Sequence, residues 1–305
     1  MERKKVIIDT DPGIDDFLAL ILAKSSEILD IRGITAVAGN QTLDKIAKNA
    51  LGIAEFLKLD APVAKGADKP LIFNQVTASI VHGDTGLGNF KLPVPSRDFD
   101  SRYAWDLIYD EAVAAKGELS IISIAPMTNI AIALYKYPEL KHLIKNITAM
   151  GGSTENGNIG ILGEFNFYVD PHAARSVFRS GIPINMIGLN VTSKTSMNDE
   201  EFGTLQGIKC KKPDDFFNLM NLYRSTHTAF GSQKTIAMHD SLAVAYEADP
   251  SILTMLETYV EIETGAGLCR GRSIINRNAA PNSKIAVDLD KKRFLSMVKD
   301  SFRIF

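Results

Sequence analysis

The feature that most constrains the fold is an alternation of short apolar runs with amphipathic stretches. The runs are rich in β-branched or large apolar residues and have the length of buried strands: Val6–Ile8, Ile31–Ala38, Leu119–Ile124, Ile144–Met150 and Ile184–Leu189. Helix-like stretches lie between them: Ile14–Ala23, Leu43–Leu57, Tyr103–Ala115, Thr128–Tyr135 and Ala173–Ser180. Crossovers between parallel strands are right-handed and place helices on both faces of a sheet. The pattern predicts a Rossmann-like α/β fold with an open, mostly parallel sheet.

The rest of the chain follows this alternation less closely. Val63–Arg97 is rich in Gly, Pro and Asn, which predicts a long loop of the kind that often has a function in compact enzymes. A helix, two strands and a final helix are expected, in that order, at Pro213–Glu247, near Thr258–Glu263, near Lys284–Asp288 and at Lys291–Phe302. No repeat, low-complexity tract or linker interrupts residues 1–305. We therefore expect one domain with a mixed sheet.

Composition limits the partners that such a chain can have. The 305 residues include 34 Lys and Arg against 36 Asp and Glu, a formal net charge of −2. A near-neutral charge without a basic block argues against nucleic acid as the main partner. No apolar stretch approaches the roughly 20 residues that span a bilayer, and the run after Met1–Lys5 is too short for a signal peptide. Two cysteines, Cys210 and Cys269, cannot form a disulfide framework. We expect a cytoplasmic enzyme without a membrane partner.

The first predicted strand runs into a dense group of acidic residues. Four of the eight residues in Asp9-Thr10-Asp11-Pro12-Gly13-Ile14-Asp15-Asp16 are carboxylates. Pro12 suits the first position of the helix that follows, and Asp11 can cap its free N–H groups. The helix dipole stabilises each negative charge near the start of the helix by only about 0.3–1 kcal/mol. Repulsion among several carboxylates within a few ångströms should exceed that contribution. The segment therefore predicts a bound cation at the strand end where open α/β sheets bind ligands.

The donor chemistry of this segment narrows the kind of cation. Oxygen ligands without a nearby His or Cys indicate a hard ion, calcium or magnesium. The order is not that of an EF-hand, because Gly13 is the fifth residue counted from Asp9 rather than the sixth. One alternative is a phosphatase of the haloacid dehalogenase type, which also has Asp-x-Asp after a strand. That alternative gives no reason for Asp15 and Asp16.

Polar groups also follow the second and third predicted strands. Asn40 comes after the second strand, where its amide can orient a water or a substrate hydroxyl, although a helix cap is the commoner role for such a residue. Ile124 ends the third strand, where the backbone leaves the sheet and can offer a carbonyl to a metal. Because parallel strands end at one edge, these groups are expected near the acidic segment.

The fourth predicted strand and the last long helical stretch bring further candidates. Asn158, Glu164 and Asn166 are expected on irregular backbone beyond the fourth strand, where they suit recognition of sugar hydroxyls. His239 and Asp240 precede the apolar stretch of another helix, as Asp11 does. A lone His-Asp pair usually has a structural role. Asp240, however, would be a second source of carboxylate for the cation predicted at the acidic segment, and this favours a functional role for the pair.

The segments described so far resemble one known family. Asp9–Asp16 resembles the Asp-x-Asp-Pro-Gly-x-Asp-Asp signature of the inosine–uridine nucleoside hydrolases. The likeness continues in order, with similar spacing, over nearly the whole chain: Ala38–Thr42, His82-Gly83, Thr128-Asn129, Met150–Gly152, Glu164–Asn166 and His239-Asp240. It departs at Ala125-Pro126-Met127, where Gly-Pro-Leu is common, and at Gly163, where Ala is frequent. The resemblance implies a nucleoside hydrolase fold and calcium-dependent hydrolysis of ribonucleosides to ribose and free base.

The resemblance also implies roles for individual residues. Asp11, Asp16 and Asp240 resemble the carboxylates that hold one Ca²⁺ per subunit, and the Ile124 carbonyl resembles the backbone ligand. Asp11 resembles the base that deprotonates the metal-bound water, which attacks an oxocarbenium-like sugar. Asp15 resembles the residue that holds a ribose hydroxyl. The rest of the ribose shell is expected to comprise Asn40, Met150, Asn158, Glu164 and Asn166.

Three histidines are candidates for contacts with the leaving base, and two of them, His239 and His82, are also catalytic candidates for activating that base. His239 resembles the family histidine near the base, and His82 lies in the long loop, where it could enclose the substrate. His227, with Tyr223 and Phe230, could line the base pocket. This order favours the pyrimidine-preferring branch, with a broad inosine–uridine hydrolase as the alternative. A calcium-bound ribose sensor without turnover is a further alternative, and the family implies a homodimer or homotetramer.

Overall fold

Nine strands form one sheet in the part of the chain that the structure describes. The computed structural model describes residues 2–88, 90–205, 208, 214, 218, 220–224 and 237–304. The strands are β1 (Lys4–Thr10), β2 (Leu29–Ala36), β3 (Val63–Lys65), β4 (Leu119–Ser123), β5 (Ile144–Met150), β6 (Ile184–Ile187), β7 (Leu253–Ile262), β8 (Ser273–Asn276) and β9 (Ser283–Leu289). Their order across the sheet is β3-β2-β1-β4-β5-β6-β9-β7-β8.

The direction of the strands confirms the predicted fold class. Neighbours from β3 through to β9 pair in parallel. Only β7 runs against its neighbours, since it pairs antiparallel with β9 on one side and β8 on the other. The sheet is therefore open, mixed and mostly parallel.

Helices connect the strands. They are α1 (Ile14–Ser25), α2 (Leu43–Phe56), α3 (Ser79–His82), α4 (Ala104–Ala115), α5 (Thr128–Lys136), α6 (Phe165–Val169), α7 (Pro171–Phe178), α8 (Leu189–Thr192) and α9 (Asp199–Gly203), followed by His239–Ala248 and Lys291–Ser301. Short 3₁₀ turns occupy Pro138–His142, Ser193–Thr195, Pro250–Ile252 and Phe302–Ile304. Within the described ranges, no helix has both the length and the apolar character needed to span a bilayer.

Alternation along β1 shows how the two faces of the sheet are covered. Val6 and Ile8 are fully buried against α1, α2 and the helices His239–Ala248 and Lys291–Ser301. Ile7 points to the opposite face and packs with residues of α4, α5 and α7. Successive side chains of a strand point to opposite faces, so a wholly apolar strand needs both faces covered. The predicted layers are confirmed.

Several boundaries differ from the sequence-based expectations. The expected loop Val63–Arg97 opens with β3, which pairs in register with Ile34–Ala36 of β2, and it contains the single turn α3. The fifth predicted strand ends at Ile187, because α8 begins at Leu189. β8 has no counterpart in the sequence reading, and it is defined by its pairing with β7. Elements of three or four residues owe their structure to these partners rather than to a periodic pattern of their own.

The predicted helix Pro213–Glu247 lies only partly within the described residues. Its described members 214, 218 and 220–224 are helical, whereas Ala237 and Met238 are not. The helix that follows begins at His239 and ends at Ala248. His239 and Asp240 therefore form the first turn of a helix, as expected.

Register brings the strand ends to one edge. Asp9 of β1 pairs with Thr35 of β2 and with Ser123 of β4. Ser123 in turn pairs with Ala149 of β5. The segments that leave the carboxyl ends of these strands therefore start side by side. They contain Asp11, Asn40, Ile124 and Gly151.

Candidate active site

The turn between β1 and α1 is organised by Asp16. Its Oδ1 accepts hydrogen bonds from the Thr10 hydroxyl (2.6 Å) and the Asp11 N–H (3.2 Å), and its Oδ2 accepts one from the Gly13 N–H (3.0 Å). α1 begins at Ile14 with Gly13 as its N-cap. The prediction that Pro12 starts the helix and Asp11 caps it was therefore wrong. Asp16 supplies these bonds from inside the helix, which leaves Asp11 available for another role.

Asn40 joins the acidic turn to the end of β2. Its backbone N–H donates to Asp11 Oδ2 at 2.6 Å, and its side-chain amide donates to the Asp11 carbonyl at 3.1 Å and Asp16 Oδ2 at 3.3 Å. The N-cap of α2 is Thr42, so Asn40 is not the cap of that helix. Asn40 instead fixes the relative positions of two predicted metal ligands.

Asp15 joins the acidic turn to the helix His239–Ala248. Its Oδ2 accepts hydrogen bonds from the backbone N–H groups of His239 (3.1 Å) and Asp240 (3.3 Å). These N–H groups lie at the start of a helix, where a carboxylate is stabilised. Asp15 Oδ1 is buried and makes no hydrogen bond of ordinary geometry to a described residue, although the Tyr223 hydroxyl is close enough to the carboxylate to lower its pKa. One oxygen of Asp15 therefore fixes the scaffold, and the other can accept a bond from a substrate hydroxyl.

The acidic side chains of the site are almost wholly buried. Asp11 and Asp16 have no exposed surface, and Asp15, Asp240 and Glu164 expose at most 7%. Burial raises the pKa of Asp15 to about 8 and that of Glu164 to about 7. Burial, and next the charge of a neighbouring carboxylate, raises the pKa of Asp11 and of Asp240 well above the ordinary range. Such a group is stable only when it is protonated or when a cation is near.

The buried carboxylates of the site meet only some of the requirements of a metal site. Oxygen donors predominate, and Asp11 Oδ1 is buried without a hydrogen-bond partner in the described residues, both of which suit a hard cation. Among the described side chains, however, no three or more of His, Cys, Asp or Glu are gathered closely enough to hold an ion as they stand. The ligand set of Asp11, Asp16, Asp240 and the Ile124 carbonyl stays a prediction.

A cavity of about 670 Å³ opens at this edge of the sheet. Ten of the thirteen predicted site residues line it: Asp15, Asn40, His82, Ile124, Met150, Asn158, Glu164, Asn166, His239 and Asp240. Asp11 and Asp16 are fully buried and do not line the cavity, but both bond to Asn40, which does. The remaining candidate, His227, lies outside the described residues.

Glu164 and Asn166 line one side of the cavity and bond to the backbone around them. Glu164 is the N-cap of α6, where its carboxylate accepts the N–H groups of Asn166 and Phe167, and it also accepts that of Gly152 at 2.9 Å. Asn166 donates to the Met150 carbonyl at 3.1 Å. Asn166 therefore lies in a short helix, and the expectation of irregular backbone at this residue was wrong. The backbone of the β5–α6 connection holds the predicted ribose shell in place.

The histidines are held by different elements. His82 ends α3, and its ring lies against Gly13, where an added Cβ would be 2.5 Å from Nδ1. His239 contacts Thr192 Oγ1 through Nδ1 at 2.7 Å. α3 therefore brings His82 to the acidic turn, and α8 fixes the ring of His239.

Sequence reasoning missed the apolar wall of the cavity. This wall is formed by Ile80, Val81, Ile159 and Phe165. Ile80 keeps 82% of its surface exposed on α3, so this wall borders the mouth. An isolated apolar residue in a polar loop gives little periodic signal, although its proximity to His82 in sequence could have drawn attention to it.

The comparisons with known proteins agree with this arrangement. Residues 6–296 match the family model for inosine-uridine preferring nucleoside hydrolases. The chain is 32% identical over 307 aligned residues to the pyrimidine-specific ribonucleoside hydrolase RihB of Escherichia coli O17:K52:H18, covering 99% of this chain and 98% of that protein. A plant nucleoside hydrolase structure superposes with a TM-score of 0.93 at 30% identity, over 99% of both chains.

A second solved structure bears on substrate preference. The purine-preferring ribonucleoside hydrolase from Gardnerella vaginalis has a TM-score of 0.91 and 32% identity, over 98% of both chains. Its identity to this chain equals that of the pyrimidine-specific relative, so overall similarity does not distinguish the two preferences. The match over nearly the whole chain, together with a cavity lined by ten of the predicted site residues, shows that this protein belongs to the inosine-uridine preferring nucleoside hydrolase family and is an N-glycosidase that acts on ribonucleosides.

Proposed function

We propose that this enzyme hydrolyses pyrimidine ribonucleosides, with calcium as cofactor and Asp11 as the base. One observation supports the proposal most strongly. The Asp11 carboxylate is fully buried, its Oδ1 has no hydrogen-bond partner among the described residues, and it interacts with the charges of Asp16 and Asp240. A cation would stabilise the ionised carboxylate, which could then accept a proton from a water.

The residues that would hold calcium are Asp11, Asp16, Asp240 and the Ile124 carbonyl. When bound, calcium supplies a Lewis acid that positions the attacking water and lowers its pKa. A nearby carboxylate is still needed to accept the proton, because a hard cation with oxygen ligands lowers that pKa only modestly. Asp11 fits this need, since its carboxylate is fixed by the Asn40 N–H through one oxygen only.

The chain's own residues then perform the following chemistry. The water oxygen bonds to C1′ from the face opposite the base, and Asp11 takes one of its protons. The C1′–N bond breaks, and its electron pair leaves with the base. Positive charge that develops on the sugar ring is stabilised by the carboxylates of Asp15 and Glu164, which line the cavity. The reaction is inverting, because attack and departure take place on opposite faces.

We attribute selectivity for ribose to Oδ1 of Asp15. Its Oδ1 is buried and can accept a bond from a 2′- or 3′-hydroxyl. A substrate that lacks this hydroxyl would leave the carboxylate without a donor, which costs about 1–3 kcal/mol for a buried group. Asn40, Met150, Asn158, Glu164 and Asn166 complete the proposed ribose shell.

We expect uridine and cytidine to exceed inosine in kcat/KM by at least about tenfold, which corresponds to roughly 1.4 kcal/mol of transition-state binding. The proposal rests on the histidine pattern and on a relative whose name gives pyrimidine specificity. The measurement is ribose release from uridine, cytidine, inosine and 2′-deoxyuridine at matched concentrations. A preference for inosine would refute the pyrimidine assignment and favour the broad or purine-preferring alternative.

A second prediction concerns Gly39, which lies against the proposed base. A Cβ at this position would be 2.0 Å from Asp11 Oδ2 and 2.9 Å from Pro126 Cδ. Gly39→Ala must therefore displace the Asp11 carboxylate. We expect kcat/KM for uridine to fall about 100-fold, since displacements of about 1 Å at a reacting group have effects of this size.

The matched control is Gly203→Ala, because a Cβ on Gly203 would meet no atom of a described residue within 4 Å outside its own helix and chain neighbours. This variant should retain the kcat/KM of the unmodified enzyme. Thermal unfolding of both variants separates misplacement from loss of fold. An unchanged kcat/KM in a folded Gly39→Ala variant would contradict the placement of Asp11 as the base.

The alternatives differ in the chemistry that the cavity would need. A phosphatase must balance the charge of a phosphate, yet the lining within the described residues includes no Lys or Arg and includes Asp15, Glu164 and Asp240. A ribose sensor gains nothing from a base beside the attacking water. Release of ribose without release of phosphate would exclude both alternatives. A cytoplasmic location and assembly as a homodimer or homotetramer stay predictions, the latter measurable by light scattering.

A further inference from the structure

Thr192 makes one contact that its helix does not explain. It is the last residue of α8 and is fully buried. Its Oγ1 lies 2.7 Å from Nδ1 of His239, which is a residue of the cavity lining. A hydroxyl at this distance forms a hydrogen bond, and either atom could be its donor.

Hydrogen-bond accounting gives this bond a direction. A threonine hydroxyl has one proton to donate, and among the described residues Thr192 Oγ1 has no acceptor other than His239 Nδ1. If Nδ1 were the donor, the hydroxyl proton would be buried without an acceptor among the described residues, which is unfavourable. The hydroxyl therefore donates to Nδ1, and the neutral ring keeps its proton on Nε2.

Hydrogen bonds around His239 hold the backbone that carries its ring. Thr195 Oγ1 donates to the Thr192 carbonyl at 2.6 Å and accepts the Met238 N–H at 2.8 Å. On the other side, Asp15 Oδ2 accepts the His239 N–H at 3.1 Å. The backbone before and at His239 is thus tied to α8 and to α1, which holds the ring beside Thr192.

We propose that Thr192 is a positioning residue for departure of the nucleobase. It selects the tautomer in which His239 presents an Nε2 proton to the cavity, and this inference rests on the proposed function. As the C1′–N bond of a pyrimidine nucleoside breaks, the electron pair moves onto the ring and is shared with its carbonyl oxygen. His239 donates a hydrogen bond to that oxygen and keeps its proton, so the proton balance of hydrolysis is unchanged.

Two substrates with different leaving groups test this role. Uridine releases a poor leaving group that needs a donor, whereas 4-nitrophenyl β-D-ribofuranoside releases a phenolate that does not. Thr192→Val keeps the shape and removes the hydroxyl, and Thr192→Ser keeps the hydroxyl. For Thr192→Val we expect kcat on uridine to fall about 10- to 100-fold, at the lower end of the range for positioned acid–base groups. With the nitrophenyl riboside the change should stay within about threefold, and Thr192→Ser should resemble the unmodified enzyme with both substrates.

Equal losses of Thr192→Val on both substrates, or no loss on uridine, would overturn the inference. Both outcomes differ from failure of the proposed pyrimidine function, in which the unmodified enzyme itself would release little ribose from uridine. ¹⁵N NMR of histidine-labelled, full-length protein gives a readout independent of activity, with His239 assigned by means of His239→Gln. We expect the Nε2–H tautomer for the unmodified enzyme and mixed tautomers for Thr192→Val. An Nδ1–H tautomer in the unmodified enzyme would refute the inference even if Thr192→Val fails to fold.

Discussion

Replacing Asp11 with alanine should lower kcat for uridine by roughly 10³- to 10⁴-fold, because the proposed base and one proposed calcium ligand are lost together. The carboxylate has one oxygen bonded to the Asn40 N–H at 2.6 Å and one buried oxygen without a hydrogen-bond partner in the described part of the chain. Initial rates of ribose release at saturating uridine provide the measurement.

Two further variants separate the role of Asp11 from damage to the fold. Asp11→Asn keeps the shape and the bond from Asn40 but cannot accept the proton of water, so it should lose nearly as much kcat. Asp44→Asn changes an exposed aspartate in the first turn of α2 and should leave kcat unchanged. The loss at Asp11 should also extend to the nitrophenyl riboside, since both substrates need the attacking water. Turnover of a folded Asp11→Ala variant close to that of the unmodified enzyme would refute the assignment.

Thorough removal of calcium should lower the rate of ribose release by at least about 100-fold, within the several kcal/mol that a metal ion contributes to such a reaction. Calcium added back should restore the rate. It should also raise the free energy of unfolding by about 2.7 kcal/mol at a concentration a hundredfold above its Kd. Asp240→Asn removes a proposed ligand and should weaken both responses, whereas Asp44→Asn should retain them. An unchanged rate after chelation would contradict a calcium mechanism.

Calcium should also change how stability depends on pH. Without it, burial raises the pKa of Asp15 from 3.8 to about 8 and that of Glu164 from 4.5 to about 7. The folded protein then binds these protons more tightly than the unfolded chain does. Their contribution to stability is therefore complete below about pH 4 and is lost as the pH rises through 7 to 8. Bound calcium replaces the protons as the source of positive charge, so the slope of melting temperature against pH should be smaller with calcium than with chelator. Equal slopes would contradict this expectation.

The strand and helix pattern was predictable because long elements have periodic sequences. β1 is apolar on both faces, which requires a parallel sheet with two helical layers, and Val6 and Ile7 do pack on opposite faces. Short elements such as β3 and β8 have too few residues for a period. Their pairing with β2 and β7 gives them their structure, and no pattern in a single segment encodes a partner that is distant in sequence.

The candidate site was predictable as a set of residues but not as a set of bonds. Carboxylates at a strand end must find a cation or protons, so the acidic segment alone indicated the chemistry. Which carboxylate does what depends on contacts between remote segments. Asp16 organises the turn through local bonds, whereas Asp15 bonds to N–H groups more than 220 residues away.

By itself, the sequence determined the fold class, the family and the residues that surround the cavity, because strand ends in a parallel sheet converge wherever the pattern is regular. Only the tertiary structure decided how those residues divide their hydrogen bonds. It left one oxygen of Asp11 and one of Asp15 without a hydrogen bond of ordinary geometry to a described residue, and it brought Thr192 to His239. The physical reason is that a hydrogen bond depends on distances of about 3 Å between atoms whose separation along the chain carries no such information.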